Sequence, residues 1–494
     1  MAVGSISASV NSYPQDLALF IDGQWLRGGG RDERDIIDPA TGEVIGRLPL
    51  ATTADLDAAL ASSAKAFESW RAVSAWQRAA ILRRAAQLIG ERKGALAAVL
   101  TMDNGKPLAD ALGEIDRVIE TVQWCSEEAT RTYGRTFSPR TPGLMQATSK
   151  RPIGPVAAFA PWNFPAVLAV RKIAAALAAG CTIIVKPAEE TPAVCVGLVR
   201  AFHDAGVPPG VLNLVFGVPS QVSEHLIASP VIRKVSFTGS VPVGRLLYRL
   251  AGQGLKAITM ELGGHSPVVV CDDVNVQKVA ADCAAFKYRN AGQVCLSPNR
   301  FFVHEAVYDA FVARFIEVAK SLRIGPGAEA GVQMGPLNNA RRLEAAERFV
   351  ANARDGGARV SLGGKRIGTR GYFFEPTVLT GLGESASIMS EEPFCPVAPI
   401  VPFATLDEAI EMANAVEFGL AAYAFTNASD NAAALSERFE AGWIGINSFT
   451  PALADAPLGG MKDSGVGYEG GPEGLDAYLQ TRFLSHDRAY PSAR

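Results

Sequence analysis

The chain has 494 residues, 48% of them hydrophobic and 20% charged, with a net charge of −3. This is more than one core holds, so two or three domains of a globular protein are expected rather than a disordered or fibrous chain. The near-neutral charge gives no basis for nucleic acid or an anionic membrane as a partner. Seven cysteines lie at 125, 181, 195, 271, 283, 295 and 395, with no CxxC and no Cys/His ligand spacing. A disulfide framework and a metal site are not expected, and a reducing cytoplasm is the expected location. The opening "MAVGSISASVNSYPQD" has no basic region and no apolar run, so no secretory signal is expected.

In chain order, residues 18–50 read as short strands around turns, and Asp55 to Trp70 as a helix. Leu56, Leu60, Ala64, Phe67 and Trp70 recur at helical spacing, and helical pattern continues to about Arg131. The apolar stretch from Gly154 to Val185 is broken by Pro161, Pro165, Arg171, Lys172 and Gly180, which excludes a membrane span. From Gly154 onward strands alternate with helices: "VAAFA", "TIIVK", "VLNLVFG", "KVSFTG" and "KAITME" are the strands. The alternation predicts a parallel sheet that binds ligand at the carboxyl ends of its strands. A second α/β series begins near "SPVVVCDD". "LMQATSKRPIG" and "AYLQTRFLSH" read as exposed strands without a covering helix, suited to cover by another subunit.

Cys295, in "GQVC", and Glu261, in "MELGG", are the residues richest in chemistry. A thiolate can attack a carbonyl, and a carboxylate can activate the water that releases the acyl group. The competing readings are a structural cysteine and a solvated carboxylate at a strand end. Asn163, in "FAPWNFP", follows a strand and either donates to an oxyanion or caps the next helix. Lys186 and Glu189 lie just past a strand, where a carboxylate can accept ribose hydroxyls. Gly239 and Ser240 stand between a strand and a helix, where backbone N–H groups can hold phosphate. A GxGxxG occurs at Gly465, Gly467 and Gly470, but it follows no strand and Pro472 is expected to interrupt any helix there, so it is set aside as chance.

Taken together, "PWNFP", "KPAEETP", "SFTGS", "MELGG", "GQVC", "EEPF" and "PLGGMKDSG" resemble the aldehyde dehydrogenase superfamily, in its order and spacing, from about Leu19 to Phe483. Within it the chain is most similar to the NAD(P)-dependent succinate semialdehyde dehydrogenases. The resemblance implies an α/β fold with a Rossmann-like parallel-sheet cofactor domain (1–133 and 152–262), an α/β catalytic domain (263–464), and a β-strand oligomerisation arm with C-terminal tail (134–151 and 465–494). It implies Cys295 as nucleophile, Glu261 as base, Asn163 as oxyanion donor and Lys172 as the supporting lysine. Lys186 and Glu189 would hold the adenosine ribose and Ser240 the pyrophosphate, with Glu392 and Phe394 placing the nicotinamide ribose and ring. Phe159, Ala160, Pro161, Trp162, Gly217, Gly239, Leu262 and Gly263 would line the cofactor path. NAD is the expected cofactor, because Glu189 would repel a 2′-phosphate, with NADP as the alternative.

Arg171 and Arg289 match the positions at which succinate semialdehyde dehydrogenases hold a distal carboxylate, and the alternative is that each pairs with a surface acid. The expected reaction is oxidation of a short semialdehyde in a homodimer or homotetramer. Alternatives are an uncharged aldehyde, a non-catalytic scaffold on the same fold, or transfer of the acyl group to coenzyme A. Three departures stand out. Ala452 and Leu453 replace the serine region of the anion site. Cys395 replaces a usual glycine, and Ser297 replaces a second cysteine that some relatives carry.

Overall fold

The computed structural model describes residues 13–383, 386–449 and 452–487. Two parallel sheets carry the molecule. The first has five parallel strands in the order Leu212–Leu214, Ile183–Lys186, Val156–Phe159, Lys234–Thr238 and Ala257–Glu261. The hairpin Leu19–Ile21 and Gln24–Leu26 adds to one edge and Gly465–Val466 to the other, all antiparallel. Here the chain winds outward from Val156–Phe159 through two crossovers, then returns to pair Lys234–Thr238 with that first strand. A Rossmann-like sheet binds ligand outside the carboxyl ends at such a reversal, between Phe159 and Thr238 in this chain.

Local sequence explains the helices that frame this crevice. Helix Pro165–Ala179 is buried along its whole length, opens with a proline where its missing N–H costs nothing, and stops at Gly180 with φ 90°. Helix Thr53–Trp70 begins with a reciprocal capping box between Thr52 and Asp55. Its buried face differs from the expected stripe. Ala59, Ser63 and Ala66 are buried with Leu56, Leu60 and Trp70, while Ala64 and Phe67 are half-buried. Small residues let the helix approach the sheet, and Ser63 is tolerated because its hydroxyl donates to Thr182 Oγ1 at 2.8 Å.

The second sheet runs Arg359–Leu362, Thr377–Thr380, Val397–Phe403, Pro298–His304, Ser266–Val270, Ala421–Phe425 and Trp443–Ile446. Only its first strand is antiparallel. The two exposed strands foreseen from sequence pair with each other: Leu144–Pro152 and Leu479–Asp487 form a ladder from Leu479 opposite Pro152 to Asp487 opposite Leu144. With Thr136–Phe137 they make a three-stranded arm that leaves Phe137, Phe483 and Leu484 exposed. No helix among the described residues is long and apolar enough to cross a membrane.

The glycine run near the end is not a product of chance. A Cβ on Gly465 would strike the Met260 carbonyl, and one on Gly470 would lie 2.6 Å from the Ala456 carbonyl. Pro472 does not interrupt a helix there. It occupies the first turn of Gly471–Asp476, where proline is favoured.

Candidate active site

Cys295 is placed by a loop in an unusual conformation. Asn290, Ala291 and Gly292 take φ of 48°, 53° and 74°, three successive left-handed residues. Gly292 is required, since a Cβ there would strike the carbonyl of Cys395. Side-chain amides brace the turn. Asn290 Nδ2 donates to the Asn163 carbonyl at 3.1 Å, and Gln293 Nε2 to the Asn290 carbonyl at 3.0 Å. The backbone N–H of Asn338 donates to Gln293 Oε1 at 2.9 Å. Cys395 itself is fully buried, and burial pushes its thiol up to about 11.

Cys295 opens into a cavity of about 320 Å³. Asn163, Trp162, Ser240, Glu392 and Phe394 share its wall, as do Gly239, Leu262 and Gly263. Asn163 is not the cap of the next helix: Phe164 holds that position, without a side-chain bond. Asn163 instead donates one N–H to the Gln293 carbonyl at 3.2 Å, which leaves its second amide hydrogen uncommitted. Glu392 accepts the Gly264 N–H at 3.0 Å, and burial raises its carboxyl to about 7. A Cβ on Gly263 would lie 2.5 Å from Glu392 Oε2, so the glycine pair after Glu261 makes room for that carboxylate.

Behind the cavity lies a buried charge network. Lys172 donates to Thr238 Oγ1 at 2.7 Å and pairs with Glu469. Burial first, and then the charge of Glu469, holds the Glu261 carboxyl well above its usual range, with Lys172 and Arg171 opposing. Glu261 Oε1 has no hydrogen-bond partner. Burial, followed by Glu261 and Glu392, pushes the Cys295 thiol up to about 12, with Arg171 opposing. The sequence reading missed Glu469, which sits within the glycine run it had set aside. A lone acid in such a run, before a proline-started helix, was the available signal. Asn290, Gln293 and Asn338 were missed as well, although Asn and Gln flank the glycine of "RNAGQVC".

A second, larger cleft of about 860 Å³ adjoins the first across Pro161, Trp162, Thr238 and Gly239. It opens at the strand-order reversal and is lined by Phe159, Ala160, Lys186 and Glu189. Lys186 Nζ lies 2.7 Å from the Glu189 carboxylate, whose Oε1 accepts the Gly217 N–H at 3.0 Å. Gly217 therefore supports Glu189 from behind and does not line either cleft. A Cβ on Gly239 would strike the Phe237 ring. An elongated crevice at the switch point, a glycine before a helix N-terminus and a carboxylate within reach of a sugar diol together fit a dinucleotide.

Arg171 and Arg289 line neither cleft. Arg171 Nη2 donates to the Ala452 carbonyl at 3.2 Å, and its Nε has no partner. The Arg289 guanidinium stands 5.9 Å from the ring centre of Phe164, the residue after Asn163. Neither arginine forms an ion pair with a carboxylate among the described residues, so the surface-pair alternative does not hold.

Residues 25–484 match the model of the aldehyde dehydrogenase family. The chain belongs to that family. It is 46% identical over 469 residues to 4-(hydroxymethyl)benzenesulfonate dehydrogenase of Comamonas testosteroni, covering 95% of this chain and 98% of that protein. It is 39% identical to 3-sulfolactaldehyde dehydrogenase of Pseudomonas putida, covering 94% and 96%. The crystal structure of succinate-semialdehyde dehydrogenase from Burkholderia pseudomallei superposes with a TM-score of 0.94 at 40% identity, covering 95% of this chain and 98% of that one. This aldehyde dehydrogenase is thus an oxidoreductase that oxidises an aldehyde through a catalytic cysteine, on a Rossmann-like NAD(P)-binding domain. It is closely related to the semialdehyde dehydrogenases.

Proposed function

We propose that this enzyme oxidises aldehydes bearing an anionic group at the far end, with Cys295 as nucleophile, Glu261 as base and NAD as acceptor. The observation that carries the reading is a pair of arginines without an ion-pair partner among the described residues: Arg171, whose charge acts on the Cys295 thiol, and Arg289, which stands over Phe164, the residue after Asn163. Uncompensated guanidiniums are poor neighbours for an apolar substrate and good ones for an anion. Succinate semialdehyde fits this class, and so do aldehydes ending in a sulfonate, the group named in two of the relatives.

In the first step Cys295, having lost its thiol proton to solvent, adds as thiolate to the carbonyl carbon, giving a tetrahedral adduct bonded to sulfur whose former carbonyl oxygen carries the negative charge. The free amide hydrogen of Asn163 and the backbone N–H of Cys295 receive that charge. NAD bound in this crevice would supply the hydride acceptor, which would leave the acyl group as a thioester on Cys295. Glu261, poised by burial and steadied by Lys172, then takes a proton from the attacking water, and the acid leaves. Glu189 and Lys186 would hold the adenosine ribose, Ser240 and Gly239 the pyrophosphate, and Glu392 and Phe394 the nicotinamide end. The Glu189 charge favours NAD, because it opposes a 2′-phosphate. The exposed Phe137, Phe483 and Leu484 of the arm support a homodimer or homotetramer.

Steady-state kinetics with succinate semialdehyde, 4-formylbenzenesulfonate and benzaldehyde test the substrate class. Arg171→Ala and Arg289→Ala should each raise KM for the two anions by about tenfold or more, as expected for a lost charge-assisted hydrogen bond. If both substitutions leave those KM values unchanged, the anionic-substrate reading is wrong.

A further inference from the structure

We propose that Arg117 is a third specificity-determining residue of this substrate site, and that with Arg171 and Arg289 it selects a terminal sulfonate over a carboxylate. The proposal rests on the anionic-substrate reading above.

Arg117 belongs to the helix Leu108–Glu128, which packs beside Pro165–Ala179. The two helices run in the same direction. Glu114 Oε1 accepts the N–H groups of Ala166 and Val167 at 3.0 and 3.2 Å, and further along Thr121 and Cys125 share a small void with Arg171 and Ala175. Arg117 follows Glu114 by less than one turn, so it is level with the stretch of the neighbouring helix that leads to Arg171. Glu114 itself is unavailable as its partner: its other oxygen pairs with the buried Lys106 at 2.6 Å.

Arg117 Nη2 and Arg171 Nε are both buried without an acceptor. Among the described residues no carboxylate is within ion-pair distance of Arg117, Arg171 or Arg289. Burial and the neighbouring charges of Arg289 and Arg171 hold the Arg117 guanidinium below its usual range, against the pull of Glu114 and Asp110. Three like charges thus lie near one another, Arg171 buried and Arg117 and Arg289 half-buried, and Glu128, which lines the void beside Arg171, pairs instead with Arg131. Charge withdrawn from water without an ion-pair partner is costly unless a ligand supplies the counter-charge. Ala452 and Leu453, on the loop beside Arg171, contribute no side-chain donor or acceptor.

The number of guanidiniums bears on the anion's shape. A carboxylate presents two oxygens in one plane, which a pair of arginines satisfies. A sulfonate spreads its charge over three oxygens in a tetrahedral array, so a third donor arriving from another helix finds an acceptor of its own. Arg117 therefore adds most to sulfonate binding and least to an uncharged aldehyde.

The test measures kcat and KM for benzaldehyde, 4-formylbenzoate and 4-formylbenzenesulfonate with the wild-type enzyme, Arg117→Ala and Arg117→Lys. Arg117→Ala should lower kcat/KM for the sulfonate by about tenfold or more, through KM, and for the carboxylate by about threefold or less. Arg117→Lys, which keeps the charge and loses the fork, should recover part of the sulfonate loss and also serves if the alanine variant fails to fold. Equal losses on all three substrates, or an unchanged KM for the sulfonate, would overturn the proposal. A wild-type enzyme that prefers benzaldehyde to both anions would overturn the anionic-substrate reading itself, and this proposal with it. A wild type that prefers anions but whose Arg117 variants do not discriminate overturns the proposal alone.

Discussion

On the cofactor side of Cys295 Lys186, Lys172 and Glu392 each have a partner within the chain, whereas among the described residues Arg117, Arg171 and Arg289 have no acid within ion-pair distance. Lys186 is held by Glu189, Lys172 by Glu469, and Glu392 by the Gly264 N–H. Arg117 and Arg171 keep buried N–H groups that bond to nothing. Internal pairing suits a site that must present fixed donors to one recurring cofactor, since prepared geometry costs no reorganisation on binding. An unpaired cluster suits a site whose missing partner is part of the substrate, so that substrate charge completes the electrostatics. The side with satisfied groups should govern chemistry, and the side with open groups should govern which aldehyde enters.

The largest test of this division is Glu261→Gln. It removes the base and leaves the arginines in place. A first turnover that releases one equivalent of NADH per site should survive, followed by a steady-state rate lower by about a hundredfold or more, seen by stopped-flow absorbance. Loss of the first turnover to the same degree would place Glu261 in the acylation half of the reaction and break the division.

The resting thiol gives the next contrast. Its position at about 12 comes from burial and from Glu261 and Glu392, so the neutral thiol dominates throughout the physiological range. A raised thiol pKa means that thiolate grows with every step upward in pH until that value is reached. Alkylation of Cys295 by iodoacetamide in cofactor-free enzyme should therefore rise by about tenfold per pH unit and show no plateau near 8.5, where a free cysteine levels off. A plateau at or below 8.5 would mean that Arg171 outweighs burial and the two carboxylates, and the two sides of the sulfur would then be electrostatically alike.

Much of this was legible in the chain. Alternating strands and helices gave the parallel sheet, and Pro165 with Gly180 marked the ends of the buried helix. Glu261 and Asn163 stood out because each sits at or just past a strand end with glycine or proline within two residues, and Cys295 because its loop carries Gly292 three residues before it. The pairing of Leu144–Pro152 with Leu479–Asp487 could be suspected from their lack of a covering helix, but their register could not. What stayed hidden depends on contacts distant in sequence. Glu469 reaches Lys172 across 297 positions, and nothing local to either residue announces the pair. Arg117 lies in an ordinary amphipathic helix, where an arginine reads as a solvated face. Only the packing of that helix beside Arg171 shows it short of a partner. Asn163 was ambiguous between cap and donor until Phe164 proved to hold the capping position.

The smallest effect expected concerns the far end of the cofactor cleft. Glu189→Gln keeps an oxygen to accept the Gly217 N–H, so the backbone there should hold its place. It removes the negative charge and frees Lys186 from its 2.7 Å partner. Both changes favour a 2′-phosphate over a bare ribose hydroxyl. The ratio of kcat/KM for NADP to that for NAD should rise by about fivefold, on the order of 1 kcal/mol, the scale of a partly solvated charge pair. An unchanged ratio would remove Glu189 as the selector and shift attention to Arg34 and Arg341, which line the same cleft and both engage Glu190. In that case the cofactor side would also contain cations available to an incoming anion, and the contrast between paired and unpaired sides would narrow to the immediate surroundings of Cys295.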